Sequence, residues 1–202
     1  MINQRRGQVT RMACVLTVAA TLTSACSTTG TLKLVPQSYA LTEKIIRKLQ
    51  LHLPDDTSLR NAMWGTGSGA LIEIKMGDML VMRAEELARA LFADVVVTKS
   101  ATAEAGRELV LTAKIILVEY SRPVFIFQDQ RTTISLEWSL RDAEGSPVWL
   151  KTVTSQQKGR MGGVVSAQEN AEKLVGRTID DLFQQSFEQM SSALEIRGLV
   201  TR

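Results

Sequence analysis

Histidine is almost absent from this 202-residue chain, in which His52 stands alone. A Ser-His-Asp triad would have to recruit it. Yet it falls in Lys48-Leu49-Gln50-Leu51-His52-Leu53, where apolar and polar residues alternate as in a half-buried strand. That pattern puts the leucines on one sheet face and Gln50 and His52 on the other, where solvent accounts for the histidine without catalysis. Cysteine is as scarce: only Cys14 and Cys26 occur, so an ordinary zinc site drawing several ligands from His and Cys cannot be assembled. Long apolar runs are missing too. The best, Met12–Leu22, has 11 residues against the roughly 20 that span a bilayer. The glycine-rich Gly65-Thr66-Gly67-Ser68-Gly69 lacks the Lys-Ser/Thr of a P-loop and leads into a strand-like segment, so it reads as a flexible turn. The acidic pairs Asp55-Asp56, Glu85-Glu86 and Asp180-Asp181 are adjacent in sequence, point apart on any strand or helix, and read as solvated surface. These absences predict a non-enzymatic chain with no metal and no cofactor.

What is present begins at the N-terminus. Arg5, Arg6 and Arg11 precede the apolar run, and Thr23-Ser24-Ala25 lead to Cys26. A basic start, a short apolar segment and small residues before a cut are what Sec export requires, which marks residues 1–25 as a signal peptide. The residues around Cys26 resemble the lipobox of bacterial lipoproteins, with Thr23 at the usual leucine position and Leu22 one step earlier. The resemblance implies acylation of Cys26 and anchoring on the periplasmic face of the outer membrane. Ser27 leans the same way, since an aspartate after the cysteine is the enterobacterial inner-membrane signal. Cleavage after Ala25 to give a soluble secreted protein is the alternative. Removing residues 1–25 takes three arginines and no acid, leaving 21 basic and 21 acidic residues. The formal charge of +3 therefore leaves with the signal, and no nucleic-acid partner is implied. Cys14 leaves as well, so no disulfide remains.

The remaining chain is long enough for one domain, and 45% hydrophobic content suffices for a packed core. Positions 26–44 read as a lipidated tether and lead-in, and 45–202 as a single α+β periplasmic domain. Ala70–Lys75 predicts a strand, and Gly77 leads to a helix from Asp78, a natural N-cap, to Phe92. Leu80, Ala84, Leu87, Ala88 and Leu91 share one side of it, while Arg83, Glu85, Glu86 and Arg89 take the other, with Glu85 and Arg89 spaced as an i,i+4 pair. Val95–Val97 and Leu109–Val118 read as strands. The extended pattern from Phe125 to Leu140 exceeds ordinary strand length and predicts a bend around Gln128-Asp129-Gln130. Ile134, Leu136, Trp138 and Leu140 alternate with polar residues, Asp142-Ala143-Glu144-Gly145 supplies turn chemistry, and Val148–Thr154 returns as a hairpin. Lys158-Gly159-Arg160-Met161-Gly162-Gly163 reads as a mobile basic loop, an ordinary solvated one first and a contact to an anionic headgroup or peptidoglycan second.

A long helix from Ala167 to Leu194 ends the pattern. Its apolar positions, including Leu174, Ile179, Leu182, Phe183, Phe187 and Met190, cover more than the roughly 100° stripe that lies on one sheet. Either the helix buries more than one side, or Phe183, Phe187 and Met190 form a contact surface for a partner. Gly176 within it marks a close approach or a kink. The order of elements predicts an α+β fold, a curved and mostly antiparallel sheet with two helices packed on one face. The lipobox, the Asp78–Phe92 helix, the antiparallel group Thr133–Leu140 and the Asn170-Ala171 helix together resemble small proteobacterial outer-membrane lipoproteins of the YajG type. LPS-assembly and ABC-transport auxiliary lipoproteins are more distant. The resemblance implies an accessory or partner-binding subunit of an envelope transport or assembly complex, held to the outer membrane by acyl chains on Cys26. The alternative is a carrier of lipid or another apolar ligand in a cavity lined by Leu87, Leu91, Leu182, Phe183 and Trp138.

Overall fold

A computed structural model describes residues 27–39, 43–58, 60–65, 71–104, 106–121, 129–160, 167–193, 196 and 198–199. The signal segment, Cys26 and the Gly65–Gly69 turn beyond Gly65 lie outside the described residues.

The predicted hairpin is the most regular part. Strand β7 (Asp129–Asp142) pairs antiparallel with β8 (Pro147–Arg160) from Asp129↔Arg160 to Arg141↔Pro147. Asp142 organises the turn: its Oδ1 accepts from the Ser146 N–H at 2.7 Å and its carbonyl from the Gly145 N–H at 3.0 Å, with Gly145 at φ +85°. A Cβ is disfavoured at that angle, which is why glycine closes the turn. Strand β7 begins at Asp129, and the start of the bend expected around Gln128-Asp129-Gln130 lies outside the described residues. The irregularities fall at Leu140/Arg141 and, on β6 (Leu109–Ser121), between Ile115 and Leu117. Lys158, Gly159 and Arg160, read from sequence as loop, are the last rungs of β8.

Strand β6 joins the other edge of β7, and β2 (Ile45–His52) then pairs parallel both to β6 and to β5 (Phe92–Thr98). The sheet order is β5-β2-β6-β7-β8. Parallel neighbours need a crossover. Between β2 and β5 it comprises the short helix α1 (Asp55–Ser58), strands β3 (Asn61–Gly65) and β4 (Leu71–Lys75), and helix α2 (Gly77–Leu91). The class is α+β, as expected, but the strands divide between two open sheets, neither strongly curled. The second has order β1-β4-β3, where β1 (Ser27–Thr31) lies parallel to β4 in register Ser27↔Leu71. The polar residues after Cys26, read as tether, are thus a paired strand.

Helix α2 has Met76 at its N-cap without a side-chain capping bond. Asp78 stands inside the first turn rather than at the cap, where its charge still favours the positive helix end. The helix passes into β5 without a loop, Phe92 being extended. Helix α3 (Ala167–Ser192) packs on β7 and β8 on the same face, beside α2. The core between helices and sheet holds Leu49, Leu51, Leu111, Leu136, Trp138, Leu87, Leu91 and Phe183, all essentially solvent-free. Trp138 meets Phe183 edge-on, with centroids 5.8 Å apart at 88°. Its Nε1–H donates to Ser186 Oγ at 2.9 Å, which satisfies the one polar atom the indole buries.

Candidate functional site

The wide apolar arc of α3 is resolved by three neighbours. The sheet covers one side, α2 the next, and residues 32–39 run along the third: Tyr39 stacks on Phe187 at 4.9 Å, and Leu32 lies against Gly176. Phe183, Phe187 and Met190 are only 1%, 7% and 1% exposed. They are core rather than a free partner surface, because the strap and α2 cover what the sheet cannot reach. Gly176 shows no break in the helix; a Cβ there would meet only Leu32 Cδ2 at 4.0 Å. The proposed carrier lining of Leu87, Leu91, Leu182, Phe183 and Trp138 is likewise packed together and buried.

Arg83, which periodicity places on the solvent side of α2, is 3% exposed and ties α2 to α3. Its Nε and Nη2 donate to Asp180 Oδ1 at 2.9 and 2.6 Å, and its Nη1 donates to Glu86 Oε2 at 2.8 Å. Glu86 Oε2 also accepts the Gln37 N–H at 3.2 Å, and Gln37 Oε1 accepts Tyr39 O–H at 3.1 Å. Burial works against the Arg83 charge, and the hydrogen bonds to Glu86 and Asp180 outweigh it, holding the guanidinium above its ordinary pKa. Burial also raises the Tyr39 phenol, with the Arg83 cation opposing and the two carboxylates adding to the rise. Asp181 points the other way from Asp180 and accepts Ser155 Oγ at 2.6 Å and Gln185 Nε2 at 2.8 Å. The two carboxylates are separate structural ties rather than a dyad, and the Asp180 side chain keeps 44% exposure. Glu85 pairs with Arg89 at 2.7 Å as expected. His52 is half-buried with Nδ1 3.4 Å from Thr112 Oγ1, and no group of three metal-ligating side chains gathers among the described residues.

A concave site lies at the end where β7 begins and β8 ends. A partly open pocket of about 360 Å³ is lined by Gln130, Gly159, Asn170, Lys173 and Arg177. Gln130 and Gly159 face each other across the hairpin, and the α3 residues form the opposite wall. Gln130 is 1% exposed, and its Nε2 has no hydrogen-bond partner. Thr132, two residues along the same strand face, is fully buried with Oγ1 also unpartnered. Gly159 shapes the floor: a Cβ there would stand 3.4 Å from Leu174 Cδ1 and 3.7 Å from Arg177 Nη2. Lys173 Nζ reaches back to Glu169 Oε1 at 2.7 Å, and Arg177 Nε donates to the Lys173 carbonyl at 3.3 Å, which leaves its terminal nitrogens for other partners. Among the described residues no carboxylate lines the pocket. Sequence reasoning placed Lys158 and Arg160 here as a loop and missed Gln130. The signal was present in Gln130-Arg131-Thr132-Thr133-Ile134, where the inward alternation continues past the apolar core with polar side chains.

No family model matches the chain, and no curated protein matches it by sequence. Solved structures do. A Xanthomonas campestris protein of the DUF330 family superposes with TM-score 0.50 at 12% identity, over 81% of this chain and 93% of that one. A minor lipoprotein of Acinetobacter baumannii gives TM-score 0.45 at 17% identity, over 74% of this chain and 94% of that one. The fold is the one the DUF330 structure has, and a small bacterial lipoprotein is among the chain's structural neighbours.

Proposed function

We propose that this chain is a lipid-anchored envelope lipoprotein, acylated at Cys26 on the periplasmic face of the outer membrane. It acts without catalysis, through protein contacts, as an accessory of a transport or assembly system, in the manner of the YajG-type lipoproteins it resembles. The observation that carries the reading is the lipobox-like Thr23-Ser24-Ala25-Cys26 at the end of an export segment, followed at once by the first paired residue, Ser27. An acyl chain on Cys26 would hold the β1-β4-β3 sheet against the bilayer surface with no slack. Among the described residues no helix is long and apolar enough to cross a membrane, so attachment falls to the cysteine. The filled interior between α2, α3 and the larger sheet favours contact function over carriage of an apolar ligand there.

The test is the intact mass of membrane-extracted protein beside a Cys26→Ala variant, with membrane fractionation of both. Acyl mass and outer-membrane recovery, both lost in the variant, support the reading. An unmodified protein cut after Ala25 and free in the periplasm overturns it.

A further inference from the structure

The pocket at the start of β7 has a composition that the proposed anchoring does not require. A buried primary amide with no partner forfeits about 1–3 kcal/mol of hydrogen bonding, and native interiors keep few such groups. Gln130 bears that deficit at Nε2, an atom buried from water, while the residue forms part of the pocket wall. Facing it are a guanidinium and an ammonium one helical turn apart, Lys173 and Arg177, together with the Asn170 amide. Among the described residues, the charged groups that line it are cations. The lining combines the Asn170 amide with the planar guanidinium fork of Arg177, which suits an anion with several oxygens. About 360 Å³ exceeds what a bare tetrahedral anion fills and leaves room for a substituent on it.

Position narrows the ligand further. On its other side the same helix end touches β1: Gln168 Nε2 donates to the Thr29 carbonyl at 3.2 Å, and the Glu172 side chain lies against Gly30. Ser27, the first described residue of β1, is two residues before Thr29, roughly 7 Å along the strand, and Arg177 is five residues beyond Glu172, roughly 7.5 Å along the helix. The pocket therefore stands close to the point where the chain would meet the bilayer.

We propose that Gln130, Asn170, Lys173 and Arg177 form a binding site for a phosphate group, either free or as a phosphate ester on a lipid headgroup. Gly159 is the residue whose missing side chain admits it. The placement near headgroups rests on acylation of Cys26, whereas the donor set does not, so full-length Cys26→Ala protein extracted in detergent is tested beside the wild-type chain.

Each protein is titrated with inorganic phosphate, with acetate, and with short-chain phosphatidylglycerol below its micellar concentration, followed by calorimetry and by competition between ligands. Saturable phosphatidylglycerol binding displaced by phosphate, in both proteins, and reduced at least tenfold by Arg177→Gln, supports the site and assigns the headgroup. Binding of phosphate alone, with the same loss, supports it and assigns the free anion. Gln130→Leu separates a ligand site from a structural flaw: it should reduce binding at least tenfold while raising the melting temperature. Gly159→Val, a residue suited to a strand, should block binding with the fold kept by circular dichroism. The proposal is overturned if neither phosphate ligand binds, if acetate binds as tightly, or if the variants leave the affinity unchanged. Binding confined to acylated protein and insensitive to Arg177→Gln overturns it too, whatever the state of Cys26.

Discussion

Replacing Arg83 with methionine tests the account of how the two helices and the strap are held together. Methionine keeps much of the aliphatic stem that packs beneath the guanidinium, so the loss is of charge and hydrogen bonds more than of volume. Three charge-assisted bonds disappear, two to Asp180 and one to Glu86. Removing one partner of a buried ion pair costs roughly 3–5 kcal/mol because the remaining charge is stranded. Here Asp180 and Glu86 keep 44% and 21% side-chain exposure and can rehydrate in part. The expected loss therefore sits at the low end, about 3 kcal/mol, or roughly 6–12 °C in melting temperature for a domain of this size. Urea denaturation of Arg83→Met, Asp180→Asn and the double variant gives the coupling directly, expected at about 1–2 kcal/mol. Adding Glu86→Gln to the double variant should recover part of the loss, since a neutral cluster strands no charge. A loss below about 1 kcal/mol in Arg83→Met, or additive single losses, would refute the view of Arg83 as the tie between α2 and α3.

Two further expectations follow from the same region of the molecule. Gly176→Ala should stabilise the protein by up to about 1 kcal/mol, because the new methyl meets only Leu32 Cδ2 at 4.0 Å; a thermal melt in which Gly176→Ala destabilises would show that the strap lies elsewhere. The Tyr39 phenol is raised above its ordinary 10.0 by burial, so the native state holds that proton more tightly than the unfolded chain. Its stabilising contribution is complete below pH 10 and declines as pH rises past that value. Stability measured from pH 9 to 11 should fall more steeply in the wild type than in Tyr39→Phe; equal slopes would contradict the buried phenol.

Local pattern made much of this fold readable. The Ile134–Leu140 alternation, the Asp142–Gly145 turn and the two amphipathic helices are set by periods of two and 3.6 residues and by a glycine at positive φ, all of which act over a few neighbours. Cys26 belongs to the same category: its role is argued from the residues beside it. What the pattern left open depended on coverage from distant parts of the chain. Gln50, on the expected polar face, is fully buried because residues 100–104 fold over it, its Nε2 donating to the Ser100 and Thr102 carbonyls and its Oε1 accepting from Glu104 N–H. Arg83 is buried because Asp180, 97 residues away, arrives opposite it. Phe183, Phe187 and Met190 are core because a strap from before β2 lies along α3. The parallel placement of β2 between β5 and β6 follows from a crossover of some forty residues, which no local period encodes. The pocket combines both kinds of information. Hairpin register brings Gln130 to Gly159, but only the docking of α3 adds Lys173 and Arg177 to the same pocket. Sequence determined the elements and the anchor motif, because these rest on short-range chemistry. Tertiary structure decided which polar groups are hidden, because burial is a property of what packs above a residue and not of the residue itself.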